Sequence, residues 1–365
     1  MAAVRRGDPD ELRRMLANDP ALVSAHDYDS FGATALIHAA QQRDRRLVEL
    51  LLEHGADINQ GSDWWAGSFG VLPHEDRSFA EYLIERGATI DAHTAAHLGL
   101  VDRLRAMLDD DPSLVHARGG DGQFPLHFAG TREVVDLLLE RGADLHGRDI
   151  DHESTAAQWQ ATRNAPVTRY LVERGAAADV FMLSASGDVE RLERMLDNQP
   201  AALHDRITHE QFSTSGNTAA EHIYFYTIGH GATPLHAAAS QNQAEVVRLL
   251  LARGADAKAR GGYDDATPLH TAAWGNHVAA AEALLDGGAD IDARSGHMHD
   301  NESIGWAIVA GNVAMVQILL ERGAAVRPVH VEDARRGGDG DFAWTGAPLD
   351  RYAPIAALLA GRAKA

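Results

Sequence analysis

Histidines and carboxylates stand close together at two places in the sequence, in combinations that can bind a metal ion or transfer a proton. The first is His297-Met298-His299-Asp300, followed by Glu302, and the second is Asp149-Ile150-Asp151-His152-Glu153. Alternate residues of an extended segment face the same way, so His297 and His299 with Asp300 can reach one divalent ion. The spacing matches no known zinc signature. A divalent-metal cofactor at His297, His299 and Asp300 is therefore a hypothesis, and no other cofactor is indicated.

A third group lies in the segment 207–230, which contains His209, His222, Tyr224, Tyr226 and His230. A surface loop of this length is unusual unless it serves a purpose or packs on something. In one interpretation the segment folds over a groove and supplies acid/base groups. In the other interpretation the segment is a loop that is anchored on the repeats by its apolar residues Phe212, Ile223, Phe225 and Ile228. For the first interpretation the candidate catalytic residues are His152, Glu153, His222, Tyr224 and Glu302.

Composition limits the functions that the chain can have. The chain has 33 basic and 53 acidic side chains and a net charge of −20, which disfavours nucleic acid and anionic membranes as partners. It has no cysteine, so disulfides, thiolate metal sites and a cysteine nucleophile are excluded. The first residues lack the apolar region of a secretory signal, and no apolar run is long enough to span a bilayer. We expect a cytoplasmic monomer.

The elements that carry these residues repeat along the chain. A Gly-Ala pair preceded by an apolar helical stretch recurs at Gly55, Gly87, Gly142, Gly175, Gly254, Gly288 and Gly323. Most of the spacings between these glycines are close to about 33 residues. Glycine ends a helix well because it enters the left-handed region without a Cβ clash. Upstream, Thr233-Pro234-Leu235-His236 and Thr267-Pro268-Leu269-His270 fit a helix start, with a capping threonine and a proline at the first helical position.

These features resemble the ankyrin repeat family, most closely from Gly231 to Ala293, with weaker copies over nearly the whole chain. The resemblance implies an all-α solenoid of about ten helix pairs with β-hairpin loops and a concave face of hairpins and first helices. It also implies that His127, His236 and His270 are structural, each hydrogen-bonding between adjacent loops. In Phe124-Pro125-Leu126-His127 the threonine is replaced and the copy is shortened, so we expect less regular packing there.

A second repeat type ends in proline, at Pro20, Pro112 and Pro200, and suggests a longer period. We interpret it as internal duplication into three modules of one continuous solenoid, at residues 1–91, 92–177 and 178–326, with an insertion at 207–230. Residues 327–365 form a C-terminal cap. We expect Val329 to Ala347 to be irregular, followed by a short helix.

Each module also has one divergent helix start that combines an acidic or amide residue with tryptophan. These starts begin at Asp63, His152 and Asn301, and they carry Trp64, Trp65, Trp159 and Trp306. Tryptophan is favoured at binding hot spots. We assign the binding groove to Asp63, Trp64, Trp65, Trp159, Tyr226, Tyr263, Trp274 and Trp306.

Two functions remain open at this point. The first is a scaffold that binds a partner protein in the concave groove, as most arrays resembling this family do. The second is a small-molecule-binding protein or an enzyme of the isomerase, lyase or hydrolase type, with a groove site closed by residues 207–230 into a pocket of a few hundred Å³. The sequence leaves open whether the protein is an enzyme.

Overall fold

The computed structural model describes residues 1–72, 75–212, 221–296, 301–360 and 362, and it divides into two compact units. Unit 1 comprises Met1–Gln160 with Glu173–Ala176, and unit 2 comprises Ala161–Val172 with Ala177–Ala365. The three-module division of the sequence stays a prediction. Among the helices of the described ranges, none combines the length and the apolar character that crossing a membrane requires.

Unit 1 is built from short helices. Its α-helices are α1 (Ala2–Arg5), α2 (Pro9–Asn18), α3 (Ala35–Gln41), α4 (Arg45–Glu53), α5 (Arg77–Ile84), α6 (Ala92–His97), α7 (Val101–Asp110), α8 (Arg132–Glu140) and α9 (Ala156–Gln160). Its 3-10 helices are Pro20–Ser24, Pro112–His116, Gly120–Gly122 and Pro125–Phe128. β1 (His26–Asp27) and β2 (Ala33–Thr34) form an antiparallel hairpin, with His26 opposite Thr34.

Unit 2 continues the same kind of structure. Its α-helices are α10 (Ala165–Glu173, whose last residue is assigned to unit 1), α11 (Val180–Ser186), α12 (Val189–Asn198), α13 (His209–Phe212), α14 (Ile223–Thr227), α15 (Pro234–Ser240), α16 (Ala244–Ala252), α17 (Pro268–Trp274), α18 (Val278–Asp286), α19 (Ser303–Val309), α20 (Val313–Glu321), α21 (Pro328–Gly338) and α22 (Tyr352–Leu359). Its 3-10 helices are Pro200–His204, Tyr263–Asp265, Ala343–Thr345 and Leu349–Arg351.

Helix pairs stack in register in unit 2. Consecutive helices pair as α11 with α12, α15 with α16, α17 with α18, α19 with α20 and α21 with α22. The first helices contact one another in the order α11, α15, α17, α19, α21, and the second helices follow in parallel from α12 to α22. Leu250, Leu284 and Leu319 of the second helices are fully buried, because each helix buries its apolar side only against its neighbours. The fold is an all-α ankyrin-type solenoid.

The predicted helix signals account for most element boundaries. Thr233 is the N-cap of α15 and Pro234 is its first residue. Gly254 ends α16 in the left-handed region, with φ +96°, and the following N–H of Ala255 bonds to the Leu250 carbonyl at 2.9 Å. All three proline-ended repeats run directly into 3-10 helices that begin at the proline. The hairpin loops are minimal and include the isolated bridges Arg148–Thr155, Gly261–Ala266 and Arg294–Glu302.

Two expectations about secondary structure are wrong. The described residues between α4 and α5 contain no helix, so Asp63 does not start one. Val329 to Ala347 is not irregular throughout, because Arg327-Pro328-Val329-His330 forms the start of helix α21 in the same way as the Thr-Pro-Leu-His segments start their helices.

The final helix pair packs through Tyr352, which is buried and donates to the Val309 carbonyl at 2.8 Å. The irregular repeat at Phe124 was expected, and its first helix is only the 3-10 helix Pro125–Phe128.

The helix-start histidines link consecutive repeats. In α15 the Nδ1 of His236 accepts from the Thr233 amide at 3.2 Å, and Nε2 donates to the Ala266 carbonyl of the next loop at 3.0 Å. His270 reaches Asn301 O at 3.0 Å and His127 reaches Ser154 O at 3.0 Å in the same way. Burial lowers the pKa of each of these three histidines to about 4, although the hydrogen bonds oppose the shift. The imidazoles therefore act as neutral structural links.

Stability should fall in acid because of these histidines. Since the pKa of His236 is lower in the folded chain than in the unfolded one, the stabilisation is complete above about pH 6.5 and is lost as the pH falls towards about 4. In His236→Gln we expect the loss of unfolding free energy between pH 7 and pH 5 to be smaller than in the wild type by about 2 kcal/mol. Urea unfolding at the two pH values measures this, with the exposed His204→Gln as the control. Equal losses in the two variants would contradict the role given to His236.

Candidate functional site

Two loops of unit 1 are joined through the main chain of Asp121. Its carbonyl accepts from the amides of Ile150 and Asp151 at 2.9 and 3.1 Å. Asp121 itself lies in the left-handed region, with φ 55°. The loops approach so closely that a Cβ on Gly122 would stand 2.4 Å from the Ile150 side chain. The sequence places Asp121 and Asp151 in successive loops, and this contact makes them neighbours.

The carboxylate of Asp149 organises the second of these loops. It accepts from the amides of His152 and Ser154 and from the indole N–H of Trp159. Burial raises the pKa of Asp149 to about 6, and the bonds to Trp159 and His152 act in the opposite direction. Asp149 belongs to the segment 149–153 that the sequence singled out, but it was not assigned a catalytic, binding or metal-ligand role. The conformation of residues 149–154 depends on it.

Asp121, Asp151 and His152 form a cluster in these loops. The Nε2 of His152 lies 3.6 Å from Asp121 Oδ2 and 3.8 Å from Asp151 Oδ2. Asp121 and His152 are buried and Asp151 is half-buried. The other oxygen of Asp121 accepts from the indole N–H of Trp64 at 3.1 Å. The neighbouring candidate, Glu153, is buried with a positive φ of 49°, and its carbonyl accepts from Arg148.

An aromatic patch adjoins this cluster through Trp64. The ring of Trp64 packs edge-on against Phe31 at 5.0 Å between centroids, and it is tilted against Trp65 at 6.0 Å. Trp65 and Phe31 are 63% and 52% exposed. The candidates Trp64 and Trp65 therefore do come together, and Asp63 beside them is exposed. Phe31 was missed because it belongs to a different hairpin, and only its position before Gly32 marks it as a loop residue.

In unit 2 three tryptophans form a second exposed cluster, which we call the tryptophan patch: Trp274, Trp306 and Trp344. Trp274 lies 5.9 Å from each of the other two rings, edge-on to Trp306 and stacked on Trp344. Trp274 and Trp344 are 41% and 63% exposed. Trp306 is half-buried, and its indole donates to Ser295 Oγ at 3.1 Å. Trp344 was not predicted because its segment was expected to be irregular.

The described part of the 207–230 insertion packs as a small aromatic core. Phe212, Ile223, Phe225 and Ile228 are all buried, as the anchoring interpretation requires. The candidate Tyr224 is fully buried, and its hydroxyl donates to Asp179 Oδ2 at 3.0 Å, at the N-cap of α11. Burial and this carboxylate raise the pKa of Tyr224 well above its usual value.

The other aromatic candidates of this region have separate surroundings. His222 is buried and stacks on Phe212 at 4.5 Å between ring centroids. The exposed Tyr226 and Tyr263 are joined by a hydrogen bond from the Tyr263 hydroxyl to the Tyr226 carbonyl. In unit 1 the candidate Trp159 is buried, with its ring 5.2 Å from that of His152.

Glu302 lies in a buried ion-pair network in unit 2. It is the N-cap residue of α19, and its carboxylate contacts Arg327 Nη1 at 2.6 Å and His330 Nε2 at 3.1 Å. Glu302 and His330 are 1% and 0% exposed. Burial lowers the pKa of His330, although the charge of Glu302 acts to raise it. This network joins the last helix pair to the preceding repeat. The metal candidates His297, His299 and Asp300 lie outside the described residues.

Comparison with known families identifies the repeats. A model described as ankyrin repeats (3 copies) matches residues 1–66 and 212–295, and a model described as ankyrin repeat matches residues 121–150. These segments include both Thr-Pro-Leu-His helix starts and several of the Gly-Ala helix ends. The chain belongs to the ankyrin repeat family.

Two longer proteins are similar to part of this chain. This chain is 33% identical to the serine/threonine-protein kinase VIK of Arabidopsis thaliana over 113 residues, which are 30% of this chain and 25% of the kinase. It is 31% identical to ankyrin repeat and SAM domain-containing protein 6 of Rattus norvegicus over 145 residues, 36% of this chain and 16% of that protein. It thus spans a quarter or less of these relatives.

A solved structure is also similar to this chain. The crystal structure of the human ASB11 ankyrin repeat domain aligns with a TM-score of 0.39 and 23% identity, covering 64% of this chain and 98% of that one.

Glu302 should prove important for stability. Glu302→Ala removes the carboxylate partner of Arg327 and of the buried His330. Because burial lowers the pKa of His330, which also contacts Asn301, and because Arg327 is 40% exposed, no buried charge is left unpaired, and we expect a loss of about 1–2 kcal/mol. The matched control is Glu332→Ala, which removes an exposed ion pair with Arg335 and should leave the stability nearly unchanged. Urea unfolding at pH 7 measures both. A Glu302→Ala chain as stable as the control would show that the network does not hold the last helix pair.

Proposed function

We propose that this protein binds a partner protein and that the tryptophan patch of unit 2 is the centre of the binding surface. Ankyrin repeats generally mediate protein–protein interaction. The single observation that supports the proposal is the exposure of the two large rings of Trp274 and Trp344 on a repeat array. Tryptophan loses much unfavourable hydration when it is covered, and it is enriched among the residues that dominate binding energy.

Two of the three tryptophans of the patch are attached to repeat helices. Trp274 ends α17 and Trp306 lies within α19, both first helices, which in this family line the concave face. Trp306 is oriented by its bond to Ser295 and by the buried His270, whose ring lies 5.4 Å from that of Trp306. A surface held in one conformation before binding loses little entropy when it binds.

Charge favours a basic partner segment. The chain has a net charge of −20, which attracts lysine and arginine and repels acidic segments. The face of an indole ring also attracts a cation, with about 0.5–2 kcal/mol per contact. We therefore propose a partner segment that combines basic and apolar side chains.

A small-molecule or enzymatic function has weaker support. That alternative requires the 207–230 insertion to close a pocket around the catalytic candidates. The described part of the insertion packs its aromatic residues instead, and the cavity of about 240 Å³ beside it is lined by Leu203, His204, Arg206, Thr233, Ala255, Asp256 and Ala259. None of the candidate catalytic residues is in this lining.

A displayed random-peptide library tests the proposal without a known partner. Peptides selected on the whole chain should be rich in basic and aromatic residues, and Trp274→Ala or Trp344→Ala should weaken their binding at least about tenfold. Tyr28→Ala is the control, since Tyr28 is 75% exposed and lies in unit 1. Selected peptides that bind both tryptophan variants as tightly as the wild type would place the binding surface elsewhere.

A further inference from the structure

The cluster of Asp121, Asp151 and His152 in unit 1 has the spacing of metal ligands. Its ligand atoms all lie within 4.8 Å of one another. The distances of 3.6 and 3.8 Å from His152 Nε2 to the two carboxylates are too long for hydrogen bonds. An ion with bonds of about 2.0–2.2 Å separates its ligands by about 3.0–3.6 Å, close to these values. One ion at the centre would need only small side-chain movements.

The surroundings orient each of these three side chains independently. The indole N–H of Trp64 bonds to Oδ1 of Asp121, while Oδ2 faces His152. The two amide bonds to the Asp121 carbonyl hold Asp151 beside Asp121. Asp149 binds the His152 amide, and the Trp159 ring packs against the imidazole. Contacts of this kind, which fix ligand orientation from outside, are typical of metal sites.

The charges of the cluster are only partly balanced. The ion pairs that the described residues provide to Asp121 and Asp151 are both with His152. The nearby guanidinium groups of Arg118 and Arg148 donate to main-chain carbonyls. Among the residues that the structure describes, the positive charge paired with these two carboxylates is at most that of His152, which favours a divalent cation.

We infer that Asp121, Asp151 and His152 bind one divalent transition-metal ion of the zinc type. An imidazole nitrogen with two carboxylate oxygens suits zinc, whereas calcium and magnesium prefer oxygen ligands alone. Three protein ligands leave a coordination position for water or for a group from a binding partner. The site lies beside the exposed aromatic patch of Trp65 and Phe31, but the inference does not depend on the function proposed for unit 2.

Titration of the chelator-treated whole chain with zinc ions, followed by calorimetry, tests the inference. We expect one equivalent to bind and to raise the melting temperature, and we expect calcium or magnesium at the same concentration to do neither. Asp121→Asn and His152→Gln should each weaken zinc binding at least tenfold. Asparagine tolerates the left-handed conformation of Asp121, so this variant should fold. Asp151→Asn, at a half-buried position, is a second variant that disturbs packing little.

Two controls separate this site from other histidines of the chain. His38→Gln breaks a buried histidine–aspartate pair of unit 1, in which His38 Nε2 lies 3.1 Å from Asp27, and it should leave zinc binding unchanged. The double variant His297→Ala/His299→Ala tests the metal site predicted from the sequence. The inference is overturned if zinc binds equally well to Asp121→Asn and His152→Gln, if only the double variant loses it, or if calcium or magnesium binds as tightly as zinc.

Discussion

The hydrogen bond from a helix-start imidazole to the loop of the next repeat determines where the candidate sites lie. His127 donates to the carbonyl of Ser154, and this bond fixes one end of the loop that carries Asp151 and His152. His270 donates to the carbonyl of Asn301, next to the start of the helix that carries Trp306. Each ring is neutral and buried, so losing its acceptor would leave a donor without a partner at a cost of about 1–3 kcal/mol. The side chains on the loops can vary because the main chain is already held in place.

The last helix pair shows what replaces this link when no described repeat follows. His330 occupies the same helix-start position as His236 and accepts from its own N-cap amide in the same way. Its Nε2 does not reach forward to a carbonyl but lies against Glu302 and the side chain of Asn301 in the preceding repeat. The buried glutamate at the N-cap of α19 is therefore explained by the buried imidazole that it contacts. Glu302 was a candidate catalytic residue, but the contacts of its carboxylate are those of a structural group.

The sequence predicted what depends on local structure. The helix ends at the Gly-Ala pairs, the helix starts at Thr233 and Thr267 and the weak repeat at Phe124 all follow from capping and backbone preferences within a few residues. The prediction of a helix start at Asp63 was wrong. The described residues from Asp63 to Leu72 are not helical, and Trp64 anchors them through its hydrogen bond to Asp121. The contact of Asp121 with Asp151 could not be predicted, because it depends on how closely two loops approach in space.

Both candidate sites stand where the repeat departs from its regular pattern. Trp64, Trp159 and Trp306 occupy loops or helix starts that lack the Thr-Pro-Leu-His segment, and all three indoles donate a hydrogen bond to a residue in a hairpin loop, namely Asp121, Asp149 and Ser295. These bonds replace part of the loop support that the missing threonine and histidine would give. Where the ring also remains exposed or adjoins an exposed ring, as at Trp64 and Trp306, the same substitution leaves an aromatic patch on the surface. At Trp159 the ring is buried, and its effect is to orient His152. One type of substitution thus supports the loops in both units, and burial decides whether the ring also contributes to an exposed aromatic patch, which in unit 2 is the surface that we propose for binding.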